Sequence, residues 1–439
     1  MMVSRSIVGA AASALLVTAL SVAGRAAVAA ERLPSFNVDL GQTTVSGLSS
    51  GAFMAVQFHI AFSGTVRGAG VVAGGPYYCA EGQLYTNALN RCMQTGLGAP
   101  DADRLLGIAR GFARDGRIDP LENLADDRAY LFTGTNDRTV VSPVMDAARR
   151  FYLAAGLPAA NLVYRSDLPA GHGMVTETFG NACSRTAPPY INDCDFDLAG
   201  AILGQLYPGL RRPAAAARSG GTVLAFDQTE FFHTGVASGS GSGPGPVAGP
   251  ASSFGPGPVP MGVPTSMMPS PPAAFPGTPG FSGAPLVPSS PAAFPGTPAF
   301  PGVAAMPSGG TSFTWCWPSW PWCWSGGSIG PVLSLNDTGF AYVPTACAAR
   351  NETCRVHIVF HGCKQTVEDV QEQYVRNTGY NRWAESNNII VLYPQARSEP
   401  QANPNGCWDW WGYSGADYAT KTGPQMAAVR KMLDRLAGR

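Results

Sequence analysis

Residues 43–62 read TTVSGLSSGAFMAVQFHIAF, and this stretch decides the fold. A β-type run comes first, the pentapeptide GLSSG (47–51) follows, and a helical run closes the stretch. The pentapeptide fits G-x-S-x-G, which between a strand and a helix lifts a serine hydroxyl above the end of a sheet. The two glycines leave room for that tight turn, and the helix N-terminus presents free N–H groups to negative charge. We therefore predict that Ser49 is a nucleophile; the alternative is an ordinary Gly/Ser turn with Ser50 as helix cap.

The rest of the chain repeats this alternation of elements. Strand, helix, strand order favours a parallel sheet covered by helices, so the predicted fold class is α/β. In the first part, the predicted strands are Thr43–Ser46, Val66–Ala73, Ala129–Thr133 and Leu162–Arg165, and the predicted helices are Ala52–Phe62 and Val141–Ala155. In the last part, the predicted strands are Val356–Phe360 and Ile389–Tyr393. Asn381–Asn387 is predicted to be the end of a helix, and Gly423–Leu436 is predicted to be an amphipathic helix.

A serine nucleophile needs a general base, nearly always histidine, and a carboxylate to hold it. The chain has five histidines. His59 lies in a predicted helix and His357 in a predicted strand. His233 lies beside a linker, and His361 precedes a Gly-Cys pair. The fifth, His172, lies in a glycine-flanked loop after a strand, where functional residues concentrate. We predict that His172 is the base.

One acid between Ser49 and His172 follows the end of a predicted strand. Asp137 comes after the apolar run 129–132, and open α/β sheets place functional groups at the carboxyl ends of their strands. The order Ser, Asp, His is that of α/β hydrolases. We predict that Asp137 orients His172; the alternative is an Asx-turn residue after the strand.

The second half of an oxyanion hole is missing from its usual place. One N–H comes from the residue after the nucleophile, here Ser50, and another from a loop after an early strand, often with a His-Gly motif. No such motif precedes Ser49 in the mature chain, but His361-Gly362-Cys363 follows the run 356–360. The front of the sheet is therefore expected at the back of the chain, as in a circular permutation. Two separate domains are the alternative.

Six motifs together resemble the secreted poly(3-hydroxybutyrate) depolymerases of the circularly permuted, single-domain α/β-hydrolase type. The likeness covers roughly residues 36–235 and 329–439. The motifs are SGLSSG (46–51), GHG (171–173), YINDC (190–194), HGCKQT (361–366), YPQ (393–395) and NGCWDWW (405–411). The chain departs from that family in a long Pro/Gly insertion, in a Trp-Cys segment and in Ala52-Phe53, which follow the GLSSG turn (47–51), the nucleophile elbow.

The resemblance implies a serine esterase that cleaves a polyester of short hydroxyacids without a cofactor or metal. Its triad would be Ser49, Asp137 and His172, and its oxyanion hole the N–H groups of Ser50 and Cys363. Trp408, Trp410 and Trp411 are expected to line the catalytic cleft, with a plain core role as the alternative. Other readings are a cutinase-like, polylactide or feruloyl esterase, or an inactive polymer-surface-binding protein.

The N-terminus predicts export. Arg5 precedes an apolar run from Ile7 to Ala23, and small residues at 27–30 come before Glu31, which is the order of a secretory signal peptide. The alternative is a transmembrane anchor, but the run is short and Arg25 interrupts it. We predict a secreted, extracellular protein with a signal peptide over residues 1–30.

Composition changes abruptly after the first catalytic part, residues 31–235. Residues 236–310 contain no Asp, Glu, Lys or Arg, and PAAFPGTP occurs at 272–279 and again at 291–298. Such a segment has little to bury, which predicts a disordered or semi-extended linker over 236–325 before the second catalytic part, 326–439. Near its end stand five tryptophans that we expect to contact the polymer surface or to pack on the catalytic domain: Trp315, Trp317, Trp320, Trp322 and Trp324.

Ten cysteines in an exported chain predict disulfides. Counting alone leaves their connectivity open. Local spacing suggests four pairs and leaves a fifth: Cys79–Cys92, Cys183–Cys194, Cys316–Cys323, Cys347–Cys354 and Cys363–Cys407. Metal binding at Cys316 and Cys323 is the alternative, but no Cys/His partners accompany them.

Charge excludes several classes of partner. Lys and Arg number 29 against 29 Asp and Glu, so the formal net charge is zero. Nucleic acids and acidic lipids attract a basic excess, which this chain lacks. We predict an insoluble polyester as the binding partner, no nucleic acid, no membrane, and a monomer.

Overall fold

The computed structural model describes residues 30–214, 220–232, 313–316, 323–326 and 332–439. For 313–316 and 323–326 it describes the backbone alone. Among these residues the strands are, in chain order, β1 (Thr43–Leu48), β2 (Val66–Val72), β3 (Arg128–Phe132), β4 (Leu162–Arg165), β5 (Met174–Thr176), β6 (Asn181–Ala182), β7 (Ile191–Asp193), β8 (Thr222–Asp227), β9 (Phe313–Cys316), β10 (Cys323–Gly326), β11 (Thr338–Val343), β12 (Arg355–Phe360) and β13 (Ile389–Tyr393). The helices are α1 (Ser50–Ala61), α2 (Ala102–Arg114), α3 (Ser142–Ala154), α4 (Leu198–Leu206), α5 (Thr345–Ala348), α6 (Val367–Val370), α7 (Gln373–Asn377), α8 (Tyr380–Asn387) and α9 (Pro424–Leu436).

Eight strands form one sheet in the order β4-β3-β2-β1-β12-β13-β11-β8. The strands from β4 to β13 pair in parallel, whereas β11 pairs antiparallel with both β13 and β8. The late strand β12 lies directly beside β1, with Ser46 opposite Val359. Both ends of the chain therefore contribute to a single sheet. The mostly parallel sheet confirms the predicted α/β class, while the circular permutation and the domain boundaries stay predictions.

Residue alternation along the strands separates the apolar side chains into two layers. In β13, Ile390 and Leu392 join one buried cluster, and Ile389 and Val391 join the other. Successive side chains of a strand point to opposite faces, so each central strand supplies both layers. Helices α2 and α9 pack in the first layer, and α4 and α8 pack in the second. Helix α1 is buried at every residue, because it lies beneath the centre of the sheet.

The predicted elements lie within a few residues of the observed ones, but several observed elements were not predicted. Helices α2 and α4 and strands β8 and β11 had no prediction. A signal was available for α2: Asp101 caps it by accepting N–H bonds from Asp103 and Arg104, and apolar residues follow at helical spacing. A small second sheet, β5-β7-β6, lies in the chain between the histidine loop, defined as residues 166–173 between β4 and β5, and helix α4.

Several predictions fall outside the described residues. They are the signal peptide, most of the linker and the side chains of the five linker tryptophans. The backbones of β9 and β10 pair antiparallel with Cys316 opposite Cys323, but the bridge between those cysteines stays a prediction. The described residues contain four disulfides, each between partners suggested above: Cys79–Cys92, Cys183–Cys194, Cys347–Cys354 and Cys363–Cys407. No helix in the described ranges has both the length and the apolar content to span a bilayer.

Candidate active site

Ser49 occupies a sharp turn between β1 and α1. Its backbone has φ 58° and ψ −122°, a conformation that a residue with a Cβ adopts only where the surroundings impose it. The side chain makes no helix-capping hydrogen bond, and the residue is 6% exposed. Such strain concentrates at functional positions, and the nucleophile elbow is one of them.

The two glycines of the elbow are required by close backbone contacts. A Cβ on Gly47 would lie 2.2 Å from the carbonyl oxygen of Gly51 across the turn. A Cβ on Gly51 would lie 2.3 Å from the carbonyl oxygens of Phe360 and His361. Real Cβ atoms do not approach this closely, so only glycine permits both the turn and the approach of β12.

Asp137 and His172 form a buried pair. Asp137 Oδ2 lies 2.8 Å from His172 Nδ1, and the two residues are 5% and 3% exposed. Asp137 Oδ1 also accepts the N–H groups of Thr139 and Val140, so the residue makes the Asx-type turn as well. Since a carboxylate only accepts, Nδ1 donates and Nε2 is left as the basic nitrogen.

The loops that carry these residues are bonded to each other. The N–H groups of Thr135 and Asn136 donate to the carbonyls of Leu168 and Ala170, which precede His172. Gly134 is needed here, because a Cβ would lie 2.1 Å from the carbonyl oxygen of Ala170. These bonds fix the separation of the two loops.

Ser49, Asp137, His172 and Cys363 follow the carboxyl ends of β1, β3, β4 and β12, four parallel strands of one sheet. Parallel strands end at the same edge, so the four positions share one side of the sheet. Leu48, Val140, Ala170 and Cys363, which flank or belong to these positions, are members of one buried apolar cluster. The sheet thus gathers the residues that the sequence placed in separate loops, and their catalytic roles stay predictions.

The oxyanion loop, defined as residues 361–366, lies against the elbow. A Cβ on Gly362 would lie 3.4 Å from Ser49 Cβ. Ser50 begins α1, so its N–H has no intrahelical acceptor. Within the described part of the chain, Cys363 N–H also makes no hydrogen bond, whereas its neighbours Gly362 and Lys364 both donate. Two N–H groups are therefore available beside Ser49, as an oxyanion hole requires.

The three tryptophans of NGCWDWW are buried beside this loop. Trp408 is 0% exposed and packs edge-on against Phe360, so Trp408 occupies a core position. Trp410 and Trp411 are 4% and 5% exposed, and Trp410 stacks on Phe53 of α1 at 4.2 Å between ring centroids. The burial of Trp408 favours the core alternative for it, and substrate contact by the other two stays a prediction.

The other described histidines are fully occupied by buried partners. His59 contacts Asp127 at 3.0 Å and Tyr152 at 3.1 Å. His357 contacts the hydroxyls of Thr44 and Ser46, and burial lowers its pKa to about 3. His361 accepts the N–H of Ala396, and burial lowers its pKa to about 4. Burial thus keeps His357 and His361 neutral, and all three serve the structure.

A metal centre was not predicted. Across the ranges that the structure describes, no group of three or more His, Cys, Asp or Glu side chains is arranged to hold a metal ion.

Sequence reasoning missed the polar side chains that support the site. Gln365 bonds the oxyanion loop to residues 189–190, and Asn192 Nδ2 donates to the carbonyls of Gly171, Cys183 and Arg185 around the histidine loop. Asp409 accepts the N–H groups of residues 412–414 and so holds the tryptophan loop, defined as residues 405–414. All three stand inside the quoted motifs, which was the only signal for them.

Two curated relatives resemble the chain over most of its length, although no protein-family model matches it. The "Poly(3-hydroxybutyrate) depolymerase" of Delftia acidovorans is 40% identical over 412 residues, which are 93% of this chain and 62% of that protein. The chain therefore spans less than two thirds of the length of this relative. The "Polyhydroxybutyrate depolymerase" of Talaromyces funiculosus is 30% identical over 420 residues, 92% of each chain.

Two solved structures share the fold. One is the PHB depolymerase from Penicillium funiculosum, and the other is a PHB depolymerase variant in complex with an R3HB trimer. Each superimposes with a TM-score of 0.66 at 28% identity and covers 93% of this chain and 99% of the solved chain. The predicted fold class is confirmed by this likeness.

Proposed function

The chain belongs to the poly(3-hydroxybutyrate) depolymerase family, and from that premise we propose that it is a secreted serine esterase that cleaves poly(3-hydroxybutyrate) or a related short-chain polyhydroxyalkanoate. The observation that carries the proposal is the bonded Asp137–His172 pair at the same sheet edge as the strained Ser49. That arrangement is the one that nucleophilic ester cleavage needs. The names of the relatives supply the substrate class.

The mechanism follows from the orientation of each group. His172 Nε2 removes the Ser49 hydroxyl proton, and Ser49 Oγ attacks the ester carbonyl carbon. The carbonyl oxygen becomes an oxyanion held by the N–H groups of Ser50 and Cys363. His172 then protonates the leaving alcohol oxygen, which completes the acyl-enzyme. Water, deprotonated by His172, attacks the acyl carbon and releases the acid and Ser49.

The acyl chain would meet an apolar wall. Phe53, four residues after the nucleophile, forms a contiguous ring cluster with Trp410 and Trp411. The ring centroids are 4.2 Å apart for Phe53 and Trp410 and 5.7 Å apart for Trp410 and Trp411. Large aromatic faces bind aliphatic ester chains well, because they remove much apolar area from water. This supports a polyester over a charged or sugar-bearing ester.

Export and a monomeric state are parts of the same proposal. The four described disulfides support an oxidising compartment, since thiols stay reduced in the cytosol. Insoluble polymer outside a cell cannot enter it, so an enzyme that degrades such polymer must be exported. Detection of the mature chain in the culture medium, starting after residue 30, would test this.

The deciding experiment measures 3-hydroxybutyrate released from an amorphous polymer suspension by the wild type and by Ser49→Ala. We expect clearing by the wild type and a loss of at least 10³-fold in the variant, with unchanged folding. Retained activity in Ser49→Ala would refute the nucleophile. Hydrolysis of a soluble short-chain ester without clearing would point to another esterase class, and inactivity on both would favour a polymer-binding protein.

A further inference from the structure

The buried side-chain amide of Gln365 makes three hydrogen bonds, and all three are to backbone groups. Its side chain is in the oxyanion loop and the residue is 1% exposed. Oε1 accepts the Gly362 N–H at 2.7 Å. Nε2 donates to the carbonyls of Pro189 at 2.8 Å and Tyr190 at 3.2 Å. The side chain therefore joins two backbone segments about 175 residues apart in sequence.

The segment on the far side leads directly to the base. The Tyr190 carbonyl that accepts from Gln365 also accepts the N–H of Met174 at 2.8 Å, two residues after His172. His172 N–H itself donates to Thr186 Oγ1 at 2.9 Å, in the stretch that leads to Tyr190. The path from Gly362 to His172 thus runs through one side chain and one shared carbonyl.

The segment on the near side leads directly to the oxyanion hole. Gly362 precedes Cys363, and a Cβ on Gly362 would touch Gln365 Oε1 at 2.8 Å and Ser49 Cβ at 3.4 Å. The Gly362 N–H lies in the peptide just before the one that carries the Cys363 N–H, and the carbonyl of that second peptide lies 2.7 Å from His361 Nδ1. Holding the first peptide therefore limits where the Cys363 N–H, proposed to meet the oxyanion, can point. An oxyanion donor is useful only if it is held before the reaction.

We propose that Gln365 is a positioning residue that holds the Cys363 N–H in a fixed place relative to His172 and Ser49. This rests on the proposed function. Only an amide suits the position, because one end must accept an N–H while the other donates to two carbonyls. Leucine has a similar volume and makes neither bond, and asparagine is one methylene too short to reach both segments.

The experiment compares Gln365→Leu with Gln228→Leu in the full chain, using p-nitrophenyl butyrate as a soluble ester. Gln228 is a matched control, because it is also buried and also bridges backbone. Its Nε2 donates to the carbonyls of Asn336 at 2.6 Å and Gln395 at 3.0 Å, and its Oε1 accepts the Gln395 N–H at 2.9 Å. Gln228 lies after β8, and within the described part of the chain its hydrogen bonds reach neither the elbow nor the loop of His172.

For Gln365→Leu we expect kcat to fall roughly 10- to 100-fold with KM within about twofold, since misplacing a catalytic donor by about 1 Å costs rate rather than binding. For Gln228→Leu we expect a lower melting temperature and unchanged kcat. Gln365→Asn should show the same loss of kcat, and it decides the matter if the leucine variant does not fold.

Equal kcat in wild type and folded Gln365→Leu, or equal losses of kcat in both leucine variants, would overturn the inference and leave a structural role only. The wild-type rate separates this from failure of the proposed function. A wild type that hydrolyses neither ester nor polymer would overturn the function itself, and the positioning role with it.

Discussion

His172 and His357 show how surroundings decide what the same side chain does. His172 has a carboxylate on Nδ1 and faces the edge of the sheet where the strand ends meet. His357 lies inside β12, with Thr44 Oγ1 at 2.7 Å and Ser46 Oγ at 2.8 Å on its two ring nitrogens. Burial without a carboxylate partner lowers the pKa of His357, so the ring stays neutral and fastens β12 to β1.

This burial predicts acid sensitivity. The pKa of His357 is lowered from 6.5 to about 3 and that of His361 to about 4, so below pH 6.5 the unfolded chain binds protons that the folded chain does not. The free energy of unfolding should therefore fall as pH drops from about 6.5 towards 4, by about 1.4 kcal/mol per pH unit for each histidine.

Denaturant titrations of wild type and His357→Gln at pH 7 and pH 4.5 would check this. The variant should be less stable at pH 7, because the buried hydroxyls of Thr44 and Ser46 lose their hydrogen bonds to the imidazole ring. It should nevertheless lose less stability on acidification. Equal losses on acidification in the two proteins would contradict the assignment.

At the scale of elements, two disulfides act on opposite ends of the same strand. Cys363–Cys407 follows the carboxyl end of β12 and joins the oxyanion loop to the tryptophan loop, with a sequence separation of 44. Cys347–Cys354 precedes β12 at its amino end, with a separation of 7. Only the first bridge touches the edge of the sheet where the site lies.

We expect Cys363→Ser/Cys407→Ser to lose both stability and activity. Chain-entropy arguments give roughly 4 kcal/mol for this loop and roughly 2 kcal/mol for the shorter one. The released oxyanion loop should also lower kcat at least about tenfold. The control, Cys347→Ser/Cys354→Ser, should lose stability alone. Melting temperatures and ester hydrolysis rates measured together would separate the two effects. An unchanged kcat in the first variant would show that the Cys363–Cys407 bridge does not hold the oxyanion loop for catalysis.

At the scale of the whole molecule, the long insertion connects β8 and β11, two neighbouring strands at one edge of the sheet. Strands β8 and β11 are antiparallel neighbours, with Asp227 opposite Thr338. The chain segment between these two residues therefore begins and ends at adjacent positions. A sheet edge of this kind tolerates inserted or deleted chain, because no central strand has to move.

Deletion of Val236–Ser325 should consequently leave the fold and the hydrolysis of soluble oligomers intact within about twofold. We expect adsorption to solid polymer to weaken, since the five linker tryptophans are removed with the segment. Adsorption is best measured by sedimentation with polymer granules in the Ser49→Ala background, so that the surface is not consumed. Unchanged adsorption would assign those tryptophans to another role.

The sequence by itself determined the local features of this protein. The elbow at 47–51, the strand and helix periods around it, the Ser, Asp, His order and the short-range cysteine pairs all depend on neighbouring residues, so they could be read in the chain. The α/β class and the family followed from them.

Tertiary structure alone decided what depends on distant residues. The His-Gly-Cys motif at 361–363 predicted that the last part of the chain adds strands to the sheet of the first part, but the pairing of β1 with β12 and its register came only from the structure. The bonds from Gln365 to Tyr190 and from Trp408 to Ser50 join positions 175 and 358 residues apart, and no local pattern encodes such contacts. Burial also depends on what the rest of the chain places around a side chain, so the sequence alone did not give the 0% exposure of Trp408. The same long-range packing keeps the ring of His357 uncharged and places Gln365 where its side chain bonds the oxyanion loop to residues 189–190.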